Sequence, residues 1–200
     1  MPIGTVVQIG TNNGRDHVRD LCRTSAPEAV YLVEPFSIHV PEIQRQYDGI
    51  ANVTIDTIAI TPTHQESVRL FYTEEDGPED NANKSYQVAS IIPTHIVKHD
   101  YDPRLFKSVV VPATTLNEYF ASHSLTDIDY LFLDIEGIDF EVLRTIDFST
   151  YTIRHLQIEH LHLNSSDLNA FMQSQGYTST PGIDWHGFDT MFVRELIHPQ

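Results

Sequence analysis

The 200-residue sequence predicts an α/β fold built on a parallel β-sheet. Two observations predict it: apolar runs alternate with amphipathic stretches along most of the chain, and the first apolar run enters a glycine-bounded turn. The composition, 40% hydrophobic with one cysteine, suits a single domain with one sizeable core and no internal disulfide. We therefore expect one domain over residues 1–200, in a reducing compartment.

Apolar patterning and turn signals place the individual elements. The expected strands are Thr5 to Ile9, Ala29 to Val33, Val53 to Ile58, Tyr130 to Asp134 and His155 to Glu159. The expected helices are Arg15 to Thr24, Pro41 to Tyr47, Thr115 to Ser122, Phe140 to Ile146 and Ser166 to Gln175. Gly176 should end the last helix, and two further strands should form a hairpin up to Arg194. Trp185 in that hairpin either packs on it or offers a stacking surface for a sugar ring.

One segment breaks the alternation. A short β pattern at Val68 to Tyr72 leads into an acidic polar run, Thr73 to Asn81, and little regular pattern follows up to Val111. We expect an insertion around residues 71–111 that lies over one end of the sheet. It is either a lid over a ligand or a surface loop without a role.

The first turn indicates a nucleoside cofactor. It runs from Gly10 to Gly14, and the next strand ends at Glu34, about twenty residues on, where an acid can accept hydrogen bonds from a ribose. A dinucleotide site needs a middle glycine for its pyrophosphate, which this turn lacks. S-adenosylmethionine (SAM) carries no phosphate and fits better. A nicotinamide-dependent oxidoreductase is the alternative, and an ordinary strand-to-helix turn is the structural explanation.

Charge limits the partners. The chain has 12 basic and 28 acidic residues and a net charge of -16, which repels nucleic acid and acidic membrane surfaces. No apolar run approaches the ~20 residues of a membrane span, and no signal peptide is evident. We expect a cytoplasmic protein with no nucleic-acid or membrane partner.

Ordered sequence blocks resemble the FkbM family of SAM-dependent methyltransferases over nearly the whole chain. The blocks are Val7 to Gly14, Leu32 to Pro35, Ile58 to Ile60, Val111 to Asn117, Ile128 to Gly137 and Ile158 to His160. The resemblance implies a class I methyltransferase (Rossmann-like) sheet with a C-terminal antiparallel hairpin in a three-layer sandwich. It also implies methyl transfer from SAM to a hydroxyl of a sugar or small natural product. Asp139 stands where the family often has glutamate.

The resemblance also implies which residues bind the cofactor. The amino-acid end and ribose of SAM are expected within the turn that contains Gly10, Thr11, Asn12 and Gly14. Glu34, followed by Pro35, is expected to accept hydrogen bonds from the ribose hydroxyls. Ala59 belongs to the wall of the adenine site, and Asp134 lies near the sulfonium. The chain begins only a few residues before its first strand. Closure over the substrate is therefore expected from the insertion, a partner subunit or a neighbouring domain.

Asp134, Glu136, Glu159 and His160 should converge beyond the carboxyl ends of two strands. His160 is the expected general base, because an imidazole with a pKa of about 6.5 can accept a hydroxyl proton near neutral pH. A structural histidine is the competing interpretation. Asp134 and Glu136 are the other expected catalytic residues, although Asp134 could instead anchor the SAM amino group or cap the following helix.

A metal is a minority hypothesis. The same four residues offer ligands that magnesium or manganese accepts, but the expected mechanism uses no metal. His95 and His99 would share a face if their segment were helical. No third ligand is evident for them, so we expect both to be solvent-exposed. A catalytically silent binding module is the remaining alternative function.

Overall fold

A computed structural model describes residues 3–73, 88–99, 101–160, 163–183 and 187–194. The acidic run from residue 74 onward and Trp185 lie outside these ranges, so the expectations for them stay predictions. Within the described ranges, no helix is both long enough and apolar enough to cross a membrane.

The described chain forms ten strands and six α-helices. The strands are β1 Thr5–Ile9, β2 Ala29–Val33, β3 Val53–Asp56, β4 Ala59–Ile60, β5 Ser67–Thr73, β6 Phe106–Thr114, β7 Asp127–Leu133, β8 Thr152–Glu159, β9 Thr178–Pro181 and β10 Asp189–Val193. The helices are α1 His17–Ser25, α2 Val40–Gln46, α3 Pro93–Val97, α4 Leu116–Ser122, α5 Asp139–Leu143 and α6 Ser165–Ser174. The expected strands and helices outside the insertion are thus present, with ends that differ by a few residues.

The main sheet has seven strands in the order β3-β2-β1-β7-β8-β10-β9. The first five are parallel, and β10 runs antiparallel to both of its neighbours, which forms the expected terminal hairpin. Helices α1 and α2 pack on one face through Val18, Cys22 and Ile43. Helices α4, α5 and α6 pack on the other face through apolar side chains such as Phe120 and Met172. The predicted three-layer α/β fold is confirmed.

Local signals set the helix starts. Asp16 caps α1, where its Oδ1 accepts a hydrogen bond from Arg19 N at 3.0 Å, so α1 begins later than predicted. Thr115 and Glu118 form a reciprocal capping box at α4. Asn164 caps α6, where its side chain accepts a hydrogen bond from Ser166 N.

The predicted strand from Val53 to Ile58 is wrong at its end, because β3 stops at Asp56 and the chain then enters a second sheet. That sheet has the order β4-β6-β5. Its buried side chains, such as Leu70 and Val111, form an apolar cluster with Phe36. Side chains of β6 alternate between buried and exposed toward its end, as in a strand with one covered face. The expectation of little regular structure up to Val111 is therefore wrong. The role of the insertion as a lid stays a prediction.

The strand register aligns the ends of the parallel strands. Ile9 in β1 lies between Val33 in β2 and Leu133 in β7, and Leu133 pairs with Ile158 in β8. The residue after each of these positions consequently lies on the same edge of the sheet. This edge carries the candidate site.

Candidate functional site

A cavity of about 530 Å³ opens at the carboxyl ends of β1, β2 and β7. Its volume is within the range of small-molecule sites, roughly 300–1,000 Å³. Its walls come from the β1–α1 turn, the residues after β2 and β7, the start of α1, parts of β8 and β10, and the second sheet. The predicted cofactor-binding residues that line it are Gly10, Thr11, Asn12, Glu34, Pro35, Ala59 and Asp134.

The β1–α1 turn brings backbone and unsatisfied polar atoms to this cavity. Gly10 has φ of 86°, and a Cβ there would lie 1.7 Å from the Asp134 carbonyl oxygen, so only glycine fits between β1 and β7. Thr11 Oγ1 and Asn12 Oδ1 are buried and have no hydrogen-bond partner in the described part of the chain. Buried polar atoms of this kind are expected to bind a polar ligand.

Gly14 does not line the cavity. It lies under Tyr47, where a Cβ would approach the ring to 3.2 Å, and its φ is 72°. Helix packing and backbone conformation explain this glycine without a ligand. Its predicted place in the cofactor site is thus not supported by its position.

Glu34 lies on the cavity wall directly beside the turn. Its Oε2 accepts a hydrogen bond from Asn12 N at 2.7 Å, and its Oε1 accepts one from Phe36 N at 2.9 Å. Each carboxylate oxygen keeps a second lone pair, which can accept from a ligand hydroxyl. The residue is 4% exposed, and burial raises its pKa to about 7 although both amide bonds act in the opposite direction.

The apolar wall includes the predicted Ala59 with its neighbours Ile58 and Ile60. Phe36 after β2 and Leu70 from the second sheet extend it. A flat aromatic group of a ligand can pack against such a surface. Ala89 and Ile91 also line the cavity, so the insertion contributes directly to it.

Three carboxyl groups stand side by side across the sheet edge. Asp134 follows β7, Glu159 ends the neighbouring β8, and Asp189 pairs with Glu159 at the start of β10. Burial raises the pKa of Asp134 well above its ordinary value, and the charges of Glu136 and Glu159 raise it further. Burial, followed by the Glu136 charge, raises the pKa of Glu159 to about 8. The row is therefore suited to a cation.

The turn after β7 is held by Asp139. Its Oδ1 accepts from Ile135 N at 2.8 Å and its Oδ2 from Gly137 N at 3.1 Å, and the residue is 2% exposed. Burial raises its pKa, and the amide hydrogen bonds counteract this. Asp134 does not cap the following helix, because Ile138 occupies the N-cap position of α5. Sequence analysis treated Asp139 only as a variation and missed its part in shaping the turn.

His160 follows β8 as predicted but does not line the cavity. Its Nδ1 lies 3.0 Å from Thr190 Oγ1, and its backbone N–H donates to Phe188 O. Gln157, two residues before Glu159 on the same strand face, lines the cavity and donates from Nε2 to Asp189 Oδ2 at 2.7 Å. Gln157 and Asp189 were not predicted as site residues, although a buried glutamine inside an apolar strand is a usable signal.

The expectation for His95 and His99 is wrong. His95 is 2% exposed, and its Nε2 lies 2.8 Å from Glu136 Oε2, so the pair does have a third partner. His95 lies in α3 and His99 in the turn that follows it, and their Nε2 atoms are 3.2 Å apart. Burial, followed by the Lys98 charge, lowers the pKa of His95. Burial, followed by the Asp139 charge, raises the pKa of Glu136 to about 8.

The chain is similar to several solved structures, of which the first shares its fold. A methyltransferase FkbM from Methylobacillus flagellatus KT has 15% sequence identity and a TM-score of 0.54, with 96% of this chain and 44% of that chain covered. An rRNA methylase from Streptococcus thermophilus has 10% identity and a TM-score of 0.47, with coverage of 96% and 87%. M. capricolum TrmK, solved with S-adenosyl-homocysteine (SAH), has 8% identity and a TM-score of 0.47, with coverage of 94% and 60%.

The chain spans less than half the length of the first of these proteins. No curated protein sequence matches it. The sequence profile described as the methyltransferase FkbM domain matches residues 8–179, from the end of β1 to the start of β9. By this match over most of its length, the chain belongs to the FkbM methyltransferase domain family.

Proposed function

We propose that this protein transfers a methyl group from SAM to a hydroxyl group of a sugar or small natural product. The observation that carries the proposal is the lining of the cavity, where Glu34 and a polar turn occur together with the carboxyl groups of Asp134, Glu136 and Asp189. SAM has matching groups: a ribose diol for Glu34, and a sulfonium and an ammonium for the carboxyl groups.

Electrostatics favour SAM over a nicotinamide cofactor. Desolvation by the surrounding protein and repulsion from neighbouring acids raise the pKa values of Asp134 and Glu159. A cation between them relieves that repulsion, whereas a pyrophosphate would increase it. With the family membership, this leaves the oxidoreductase alternative without support.

The reaction is an in-line displacement. The bond from the sulfonium sulfur to the methyl carbon breaks as a bond from the acceptor oxygen to that carbon forms, and the hydroxyl proton passes to a base. Glu136 lines the cavity and has a pKa of about 8, which suits proton transfer near neutral pH. Its position supports this role more directly than that of His160, which stays the alternative base.

The charge of the chain supports a small uncharged acceptor. A net charge of -16 opposes the approach of a polyphosphate backbone. The cavity wall that the second sheet provides is apolar, as a sugar ring or a natural-product skeleton requires. An RNA acceptor is an outcome of the test below.

Binding tests the cofactor assignment. Isothermal titration calorimetry of SAM and SAH with the full chain should give saturable binding, and Glu34→Gln should weaken it by roughly tenfold or more, since hydrogen bonds to a charged group contribute about 1.5–3 kcal/mol. Glu28→Gln, at an exposed position, is the matched control and should leave the affinity unchanged. Wild-type protein that binds neither ligand would instead indicate a silent module.

Turnover tests the acceptor. Protein and methyl-labelled SAM are incubated with monosaccharides and glycosides in one series and with RNA in another, and the label is followed into each product. Label in the sugar series supports the proposal, and label in RNA alone contradicts the acceptor class. Glu136→Gln and His160→Ala, each compared with exposed His64→Ala, then show which residue acts as the base, because losing the base lowers turnover while SAM binding persists.

A further inference from the structure

Two imidazole nitrogens and one carboxylate oxygen converge at the edge of the cavity. His95 Nε2 lies 2.8 Å from Glu136 Oε2 and 3.2 Å from His99 Nε2. The third side of the triangle, from His99 Nε2 to Glu136 Oε2, measures 3.6 Å. Within the described residues, this is the group of histidine, cysteine and acidic side chains with a spacing suited to a metal ion.

A single hydrogen on His95 Nε2 cannot form good hydrogen bonds with both Glu136 and His99. His95 Nε2 carries either a hydrogen or a lone pair, so it cannot donate to Glu136 and accept from His99 at the same time. If it donates to Glu136, His99 Nε2 either points a lone pair at the same hydrogen or directs its own hydrogen toward Glu136 Oε2, 3.6 Å away. A cation among the three atoms would be contacted by a lone pair from each.

We propose that His95, His99 and Glu136 bind a divalent transition-metal ion. The point equidistant from their three ligand atoms lies about 1.9 Å from each, slightly less than the ~2.0–2.2 Å of metal bonds to histidine and carboxylate. An ion at bond distance therefore lies only about 1 Å out of their plane, and no ligand has to move far. Three protein ligands leave further coordination positions for water or another oxygen.

The supporting backbone is shaped around the three ligands. Glu136 has φ of 59°, a conformation that costs energy for a residue with a side chain. The next residue is Gly137, where a Cβ would lie 2.5 Å from His95 Nδ1, so the turn admits the histidine ring only because glycine is present. Ser90 Oγ donates to the Glu136 carbonyl oxygen at 2.6 Å and fixes the turn to the segment before α3.

The ligand set selects the class of ion. Two imidazoles and one carboxylate favour zinc, cobalt, iron or manganese over magnesium and calcium, which prefer oxygen ligands alone. Glu136 also lines the cavity, so an oxygen atom of a bound acceptor could occupy one of the open positions. With an ion bound through Oε2, the base role proposed for Glu136 belongs to its second oxygen, Oε1. The metal site itself is argued from these residues alone and does not depend on the assignment of SAM.

Cobalt(II) titration tests the site. The full chain, prepared with a chelator and without a polyhistidine tag, is titrated with cobalt(II) while visible absorption and binding heat are recorded, and zinc(II) is then added as a competitor. We expect one ion per chain with an absorption band of bound cobalt that zinc removes. His99→Ala and Glu136→Gln should each weaken binding by about 100-fold or more, because even partners of metal ligands contribute 10–100-fold.

The controls keep the result specific. His64→Ala removes an exposed histidine that pairs with Glu118, and its affinity for cobalt should equal that of the wild type. His99→Ala is preferred to a change at buried His95, and its SAM titration shows separately whether the cofactor site remains. Wild-type binding no tighter than that of His99→Ala and Glu136→Gln overturns the metal site, whatever the result with SAM.

Discussion

Glu34 makes the stability of the unliganded protein depend on pH in a predictable direction. Its pKa is about 7 in the native state against an ordinary value of 4.5, because the carboxyl group is buried. Between these values the native state binds the proton and the unfolded chain does not, so stability is fully present below about pH 4.5 and is lost as pH rises toward 7. At 1.36 kcal/mol per pH unit, ionisation of this one residue lowers the free energy of unfolding by about 3 kcal/mol in total.

The substitution Glu34→Gln isolates that contribution, because glutamine has nearly the same shape and does not titrate. Urea unfolding of both proteins at about pH 5 and about pH 8 gives the free energy of unfolding, and the wild-type decrease should exceed that of the variant by about 2.5 kcal/mol. The remaining acids affect both proteins alike. Parallel pH dependences in the two proteins would refute the assignment of the raised pKa to Glu34.

Ligand binding should reverse the trend. Ribose hydroxyls that donate to Glu34 favour its charged form, so SAM should stabilise the wild type more at about pH 8 than at about pH 5. The variant should lack the Glu34 part of this difference. Equal stabilisation by SAM at both pH values in the wild type would contradict the contact between Glu34 and the ribose.

Two substitutions test how the site is built, both by urea unfolding. Gly10→Ala should lower the free energy of unfolding by more than about 4 kcal/mol, because its Cβ would collide with the Asp134 carbonyl. Gly49→Ala, at a residue with φ of 82° and open space around it, should lower it by only about 1–2 kcal/mol. Similar losses in the two variants would contradict the close approach of β1 and β7. Asp139→Asn keeps one acceptor oxygen for two backbone amides, so it should lower the free energy of unfolding by about 1–3 kcal/mol. The same change at exposed Asp167 should lower it by less than about 1 kcal/mol. Equal losses would mean that Asp139 does not hold the turn.

The sequence contained most of what positions the cofactor side of the site. Apolar runs mark the ends of β1 and β2, and parallel pairing places the residues that follow them on one edge, so Gly10 and Glu34 could be expected to lie together. The same reasoning brought Asp134 and Glu159 to that edge. Strand ends are readable because apolar patterning stops there.

The remainder depends on tertiary contacts. The spacing of His95 and His99 was visible, but their third partner, Glu136, comes from a distant turn that meets α3 only in the folded chain. His160 was correctly placed after a strand, yet patterning does not tell which way a side chain turns there. Strand β6 was missed because Pro112 and polar residues near its start interrupt the apolar alternation.

The pairing of β4 with β6 has a consequence for how this protein could diversify. Ala59 and Ile60 lie beside Ala113 and Thr114, so the segment between β4 and the end of β6 begins and ends at nearly the same point. A segment whose two ends lie side by side can change length with little change in free energy, since the entropic cost of loop closure depends only weakly on length. The segment between β4 and β6 can thus change length while the seven-strand sheet, with Gly10 and Glu34 at its edge, keeps its shape.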